Sequence, residues 1–288
     1  MKPLIAPLLL AFATITAAEV LRPIPDATVA NFNFAPFYAK CVMVGDFPVV
    51  SSAKVSDAAL SEAAVLVKAM LAGREDILSA MAKNKVRLSV MATSERTTHL
   101  PEHADLTPPE YWNRRARGLG ASPQRPAVSC GEENVLCLPG DPYSTESIMV
   151  HEFAHAIHHM GLMSIDPSFD PRLKAAYEAA LKAGKWKDCY AAENHHEYWA
   201  EAVQSWFDTN RENDAIHNHV NTRGELKAYD PALAALCQEV FGDNPWTYRR
   251  ADDPARRGEA HLKNLDRAQL PKFEWTEAEK KADLREPG

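Results

Sequence analysis

The chain has 288 residues, of which 46% are hydrophobic and 25% charged, enough for one large domain or two small ones. Its formal charge is −7. That mild acidity gives no reason to expect nucleic-acid binding, and neither an internal repeat nor a low-complexity tract argues for a solenoid or a disordered chain.

In chain order, Lys2 precedes an apolar run at residues 4–15 and the small residues Thr16, Ala17 and Ala18. This reads as a secretory signal peptide at 1–18 with cleavage near Ala18, too short for an ordinary membrane span. Its removal takes the charge from −7 to −8, because it carries Lys2 and no acid. The expectation is a secreted or periplasmic protein with no stable membrane anchor; an uncleaved anchor is the alternative. Export makes the five cysteines disulfide candidates. Cys130 with Cys137 and Cys189 with Cys237 are the expected pairs, leaving Cys41 over.

Residues 19–52 are rich in Pro and aromatics and read as an extended segment, with a strand at 47–50. Residues 55–71 and 75–83 have helical periodicity, and 86–91 reads as a strand. The stretch 97–126 is a Pro- and Arg-containing connection with a short helix near 110–116. Within it Arg114, Arg115 and Arg117 suit an acidic substrate, although a solvated basic face is the default. Further helices are expected at 171–185 and 231–241, and the charged segment 251–288 reads as a surface-packed or partly mobile tail.

The most informative segment is His151-Glu152-Phe153-Ala154-His155. On a helix, residues four apart project from one face, separated by about 6 Å of rise, so His151 and His155 can converge on one metal ion. Glu152 lies about 100° around the same helix, the position of a general base rather than a ligand. Ser144 and Thr145 offer cap hydroxyls, apolar residues recur at Ile148, Met149, Phe153, Ile157 and Met160, and Gly161 is the expected stop.

A catalytic zinc takes three protein ligands and keeps one position open. His158 and Gly161 stand where the metzincin pattern needs Gly and His, so the third ligand must come from another helix. Residues 194–209 supply one: Tyr198, Trp199, Ala202, Val203 and Phe207 form an apolar stripe, with Glu197 and Glu201 one turn apart. Glu197 is assigned as the third ligand and Glu201 as the acceptor that fixes a ligand histidine's tautomer. The alternative is that both are a solvated face. His158 and His159 are expected to pack or support the ligands. One of His195 and His196 either faces the cleft or lies at an exposed helix start. The remaining five histidines, at 99, 103, 217, 219 and 261, show no competing ligand spacing.

His-Glu-Phe-x-His followed by Tyr190-x-x-x-Asn194-x-x-Glu197-Tyr-Trp-Ala-Glu201-Ala resembles the catalytic domain of anthrax lethal factor and its relatives, within the gluzincin metallopeptidases. The match covers two short segments. The resemblance implies one catalytic Zn2+ held by His151, His155 and Glu197, Glu152 as general base, and Tyr190 assisting, with Asn194 also matching in position. It implies an α+β, zincin-like domain over 19–250, with a small mixed sheet, the HExxH helix, and a second helix carrying the glutamate. Tyr190 suits a phenolic donor to a tetrahedral oxyanion; the bland reading is an aromatic anchor beneath its loop.

The expected function is therefore an exported zinc metallopeptidase acting on a protein or peptide substrate. A catalytically silent, metal-stabilised peptide- or protein-binding domain is the alternative, and hydrolysis of a non-peptide amide a third. Glu152 argues for catalysis, since a structural zinc site is closed by four ligands and needs no base. Oligomeric state is unknown from sequence.

Overall fold

In the computed structural model, residues 19–282 and 284 are described; the expected signal peptide lies outside them. Helix α1 (Asp26–Phe32) precedes a hairpin of β1 (Lys40–Val44) and β2 (Phe47–Ser51), whose tight turn is made by Gly45 with φ +57°. Helices α2 (Asp57–Met70) and α3 (Glu75–Lys83) lead to β3 (Arg87–Met91). Then come α4 (Pro109–Arg115), the two-residue β4 (Gly118–Leu119), β5 (Ala127–Gly131) and α5 (Glu132–Val135). Helix α6 (Ile148–Ala156) runs through a π-turn (Ile157–Leu162) into α7 (Met163–Ile165). Helices α8 (Phe169–Lys182), α9 (His195–Trp206), α10 (Arg223–Tyr229), α11 (Pro231–Phe241) and the short α12 (Glu277–Lys280) complete the chain.

The strands form one mixed sheet in the order β1-β2-β3-β5-β4. Strands β2, β3 and β5 are mutually parallel, whereas β1 and β4 run antiparallel at the two edges. Period-two alternation sends Val42 and Val49 into the main core with the helices. It sends Cys41 and Val50 to the opposite face, beneath Phe32, Phe34 and Tyr38. Burial on both faces explains why β5, with the sequence Ala-Val-Ser-Cys-Gly, is buried throughout and lacks a polar alternation that would mark it as a strand.

Several expectations change. Residues 19–52 are not simply extended, because they contain α1, opened by Pro25 and closed by Asn33 in the left-handed conformation. All five thiols are free. Cys130 is buried in the core from β5, while the Cys137 sulfur faces the Tyr248 hydroxyl at 3.7 Å. Cys237 is buried within α11, and Cys189 lies against the Lys187 carbonyl. The charged segment after Arg250 follows the surface-packed alternative: Arg256 makes a two-pronged pair with Glu62 on α2 at 2.7 and 2.8 Å, His261 adds a 2.6 Å contact, and Phe273 is buried. Glu62 is completely buried, so the Arg256 guanidinium offsets a desolvation cost of several kcal/mol.

Gly161 does not stop the HExxH helix. The backbone widens into the π-turn there, and a β-carbon on Gly161 would come within 2.8 Å of Ile77 Cγ2 and 3.3 Å of Met81 Cγ on α3. The glycine is a close-approach residue that lets α3 pack on the continuation of α6. Replacing glycine by alanine in an open helix gains up to about 1 kcal/mol, but overpacking a core costs about 1–3 kcal/mol. The clash should win: Gly161→Ala is expected to lower unfolding free energy by about 1–2 kcal/mol in urea titrations. Unchanged or increased stability would show that α3 gives way freely.

Candidate active site

Helix α6 begins at Ser147, whose Oγ accepts a hydrogen bond from the Val150 N–H; the cap is thus three residues beyond Ser144. Its apolar face, with Met149, Val150, Phe153 and Ala154, is buried in the core, leaving His151, Glu152 and His155 beside a cleft of about 630 Å³. Helix α9 begins at Asn194, whose Oδ1 accepts from the N–H groups of His196 and Glu197 at 2.9 and 3.0 Å. This cap fixes Glu197 in the first turn, where the positive end of the helix favours its charge. The Trp199 indole then donates to the Ala154 carbonyl at 2.9 Å, locking α9 across α6.

The two helices bring His151, His155 and Glu197 together. His151 Nε2 is 3.0 Å from Glu197 Oε2 and 3.2 Å from His155 Nε2, and the latter is 3.3 Å from Glu197 Oε2. Zinc bonds of about 2.0–2.1 Å set tetrahedrally require ligand atoms about 3.3 Å apart, so all three separations fit one ion. The donor set points the same way. Burial disfavours a protonated His151, yet its bond to Glu197 and the charges of Glu152 and Glu201 outweigh that effect and raise its pKa to about 10. Burial also disfavours charge on Glu197, but the two histidines hold its carboxyl well below the usual range. The site's electrostatics thus call for a cation.

Glu152 is partly accessible from the cleft, and burial holds its pKa above the ordinary carboxylate value against the pull of His151 and His155. Tyr190, in a 3-10 turn just before α9, has its N–H bonded to the Ile216 carbonyl at 2.7 Å and its ring centroid 6.2 Å from that of His151. Burial and the Glu197 charge keep the phenol protonated despite Arg115 beside it. Glu201 Oε1 lies 3.5 Å from His151 Nδ1. A nearer acceptor, which no sequence pattern marks, is Gln204 Oε1, at 2.8 Å. Its amide nitrogen donates to Glu146 Oε2 at 2.9 Å, so its oxygen must face the imidazole. Gln204 thereby keeps a proton on Nδ1, so a cation among Nε2, Glu197 and His155 would displace only the Nε2 proton and take that nitrogen's lone pair.

The three arginines expected together diverge. Arg117 is buried and pairs with Glu133 at 2.6 and 2.9 Å, and Arg114 stacks 4.7 Å from the Trp275 ring. Only Arg115 of the three lines the cleft. His217 also lines it, 2.8 Å from Asp214 and 3.5 Å from Glu201. On the opposite wall, edge strand β4 crosses very near α6. A β-carbon on Gly118 would stand 2.9 Å from Glu152 Cγ, and one on Gly120 would stand 2.9 Å from His155 Cβ. Two glycines two residues apart just after the arginine run were the available sequence signal for this approach.

His159 and His196 also border the cleft and meet at 2.9 Å between Nε2 and Nδ1. Burial and neighbouring imidazoles depress His158 to about 3 and His159 to about 4, so both rings are neutral at pH 7.

No family model and no curated protein matches the chain. Among solved structures, it is similar to a Pro-Pro endopeptidase from Paenibacillus alvei, with 17% identity and a TM-score of 0.39, over 67% of this chain and 96% of that one. So remote a likeness carries no functional argument, and the lethal-factor resemblance rests on its two sequence segments alone.

Loss of an outer hydrogen bond to a ligand histidine typically costs about 10- to 100-fold in metal affinity. If His151, His155 and Glu197 hold a metal ion, Gln204→Ala is expected to weaken its binding by that factor in a chelator competition with Zn2+, with helix content unchanged. Wild-type affinity in the variant would remove Gln204 from the metal's support.

Proposed function

We propose that the protein is an exported, zinc-dependent metallopeptidase of the gluzincin type. The observation that carries this reading is the tetrahedral spacing of His151 Nε2, His155 Nε2 and Glu197 Oε2, with Glu152 beside them on the cleft floor. When bound, zinc acts as a Lewis acid that activates water and polarises a carbonyl. Glu152 takes the proton of the attacking water and passes it to the departing amine nitrogen. Its raised pKa suits both halves of that transfer, since the base must release what it accepts. Tyr190, held protonated, donates to the oxygen on which negative charge develops, and Arg115 adds a positive charge at the same rim.

A peptide is the substrate class best matched to the cleft because edge strand β4 forms one wall. An extended chain can add to such an edge through main-chain hydrogen bonds, presenting its carbonyls to the floor of the cleft. A small amide would make no use of that edge. Secretion remains part of the proposal on the strength of the apolar leader at 4–15.

The test is cleavage of a broad peptide library by the protein and by its Glu152→Gln variant. Removal of a general base typically costs about 10²- to 10⁴-fold in rate, so cuts should fall by at least that factor while zinc content is retained. Zinc bound with no cleavage by either protein would favour the metal-stabilised binding domain instead.

A further inference from the structure

We propose that His158, His159 and His196 form a second metal site, beside the first, that takes Zn2+ or another divalent ion with a preference for imidazole. One ligand nitrogen from each of the three rings lies within 4.8 Å of the other two. His159 and His196 are already at 2.9 Å. The inference is independent of peptidase activity, because none of its ligands belongs to the triad of His151, His155 and Glu197.

The cluster does not behave as ordinary packing. His158 is fully buried, at 0% exposure, against Phe169 and Trp199, yet neither of its ring nitrogens has a hydrogen-bond partner. Asp170 Oδ1 approaches its Nε2 to 3.1 Å without hydrogen-bond geometry and contacts His195 Nε2 at the same distance. A buried polar group left without a partner is destabilising, and a neutral imidazole carries both a donor and an acceptor to satisfy. A metal ion would engage the acceptor of each ring, and the Asp170 carboxylate would orient the rings or supply a further ligand. Three imidazoles with a nearby carboxylate suit zinc and its late first-row neighbours rather than Mg2+ or Ca2+.

The backbone supports this placement. His158 and His159 sit in the π-turn, a widening that often marks functional sites. Asp170 opens α8, and His195 and His196 open α9. An ion here would staple the continuation of α6 to the first turns of the two helices that follow. His155 and His159 stack at 6.2 Å, so the staple would adjoin a proposed zinc ligand.

The test is metal stoichiometry by mass spectrometry on protein loaded with Zn2+ and freed of excess, repeated with Co2+ and its visible absorption. Because His158 is buried, the half-exposed pair carries the test in a His159→Gln/His196→Gln double variant. The expected contents are two equivalents in wild type, one in the double variant and one in His151→Ala. A single equivalent in wild type that persists in the double variant overturns the second site. A single equivalent that survives His151→Ala but disappears in the double variant upholds this site and removes the first.

Discussion

Negative charge crowded around one buried imidazole is the constraint on which the site depends. Glu146, Glu152, Glu197 and Glu201 all act on His151, which is itself buried. Each carboxylate loses hydration in such a place, and several together are tolerable only if cations and hydrogen-bond donors offset the cost. Part of the compensation comes from the protein: Gln204 donates to Glu146, Asn210 donates to Glu201 at 3.0 Å, and His217 stands between Glu201 and Asp214. Glu197 has only the two histidines and its helix terminus. A divalent ion among them would resolve that imbalance while leaving one coordination position open toward the cleft.

The fold supplies the precision this chemistry needs through a few backbone devices. Ser147 and Asn194 cap the two helices, and the Trp199 indole bonds one to the other at Ala154. Gly118 and Gly120 admit an edge strand to within touching distance of the helix that carries the base. Gly161 admits α3 from the other side. In each case the absence of a β-carbon sets an approach distance that a larger residue would increase, so small residues in the framework govern where the polar residues meet.

What could be read from sequence follows from periodicity. Helices near 55–71, 75–83 and 231–241 and the strands near 47–50 and 86–91 carried strong apolar patterns, and all have counterparts in the structure. Strands β4 and β5 were missed because one has two residues and the other is buried on both faces. The Ser144 cap and the Gly161 stop went astray because helix signals are local, whereas the π-turn and the contact with α3 are tertiary. The disulfide pairs failed for a similar reason: neither the short spacing of Cys130 and Cys137 nor a loop to be held by Cys189 and Cys237 says which way a thiol points. Arg115 was indistinguishable from Arg114 and Arg117 until the fold separated them. Gln204, an uncharged amide two turns beyond Glu197, carried no signal at all until its partner His151 was in place.

The central claim is that His151, His155 and Glu197 hold one metal ion. Crystals of the protein grown with Zn2+, with diffraction recorded above and below the zinc absorption edge, test it most directly. The account predicts an anomalous peak about 2.0–2.1 Å from both Nε2 atoms and from a Glu197 oxygen. Clear density for these three side chains with no peak between them would contradict it.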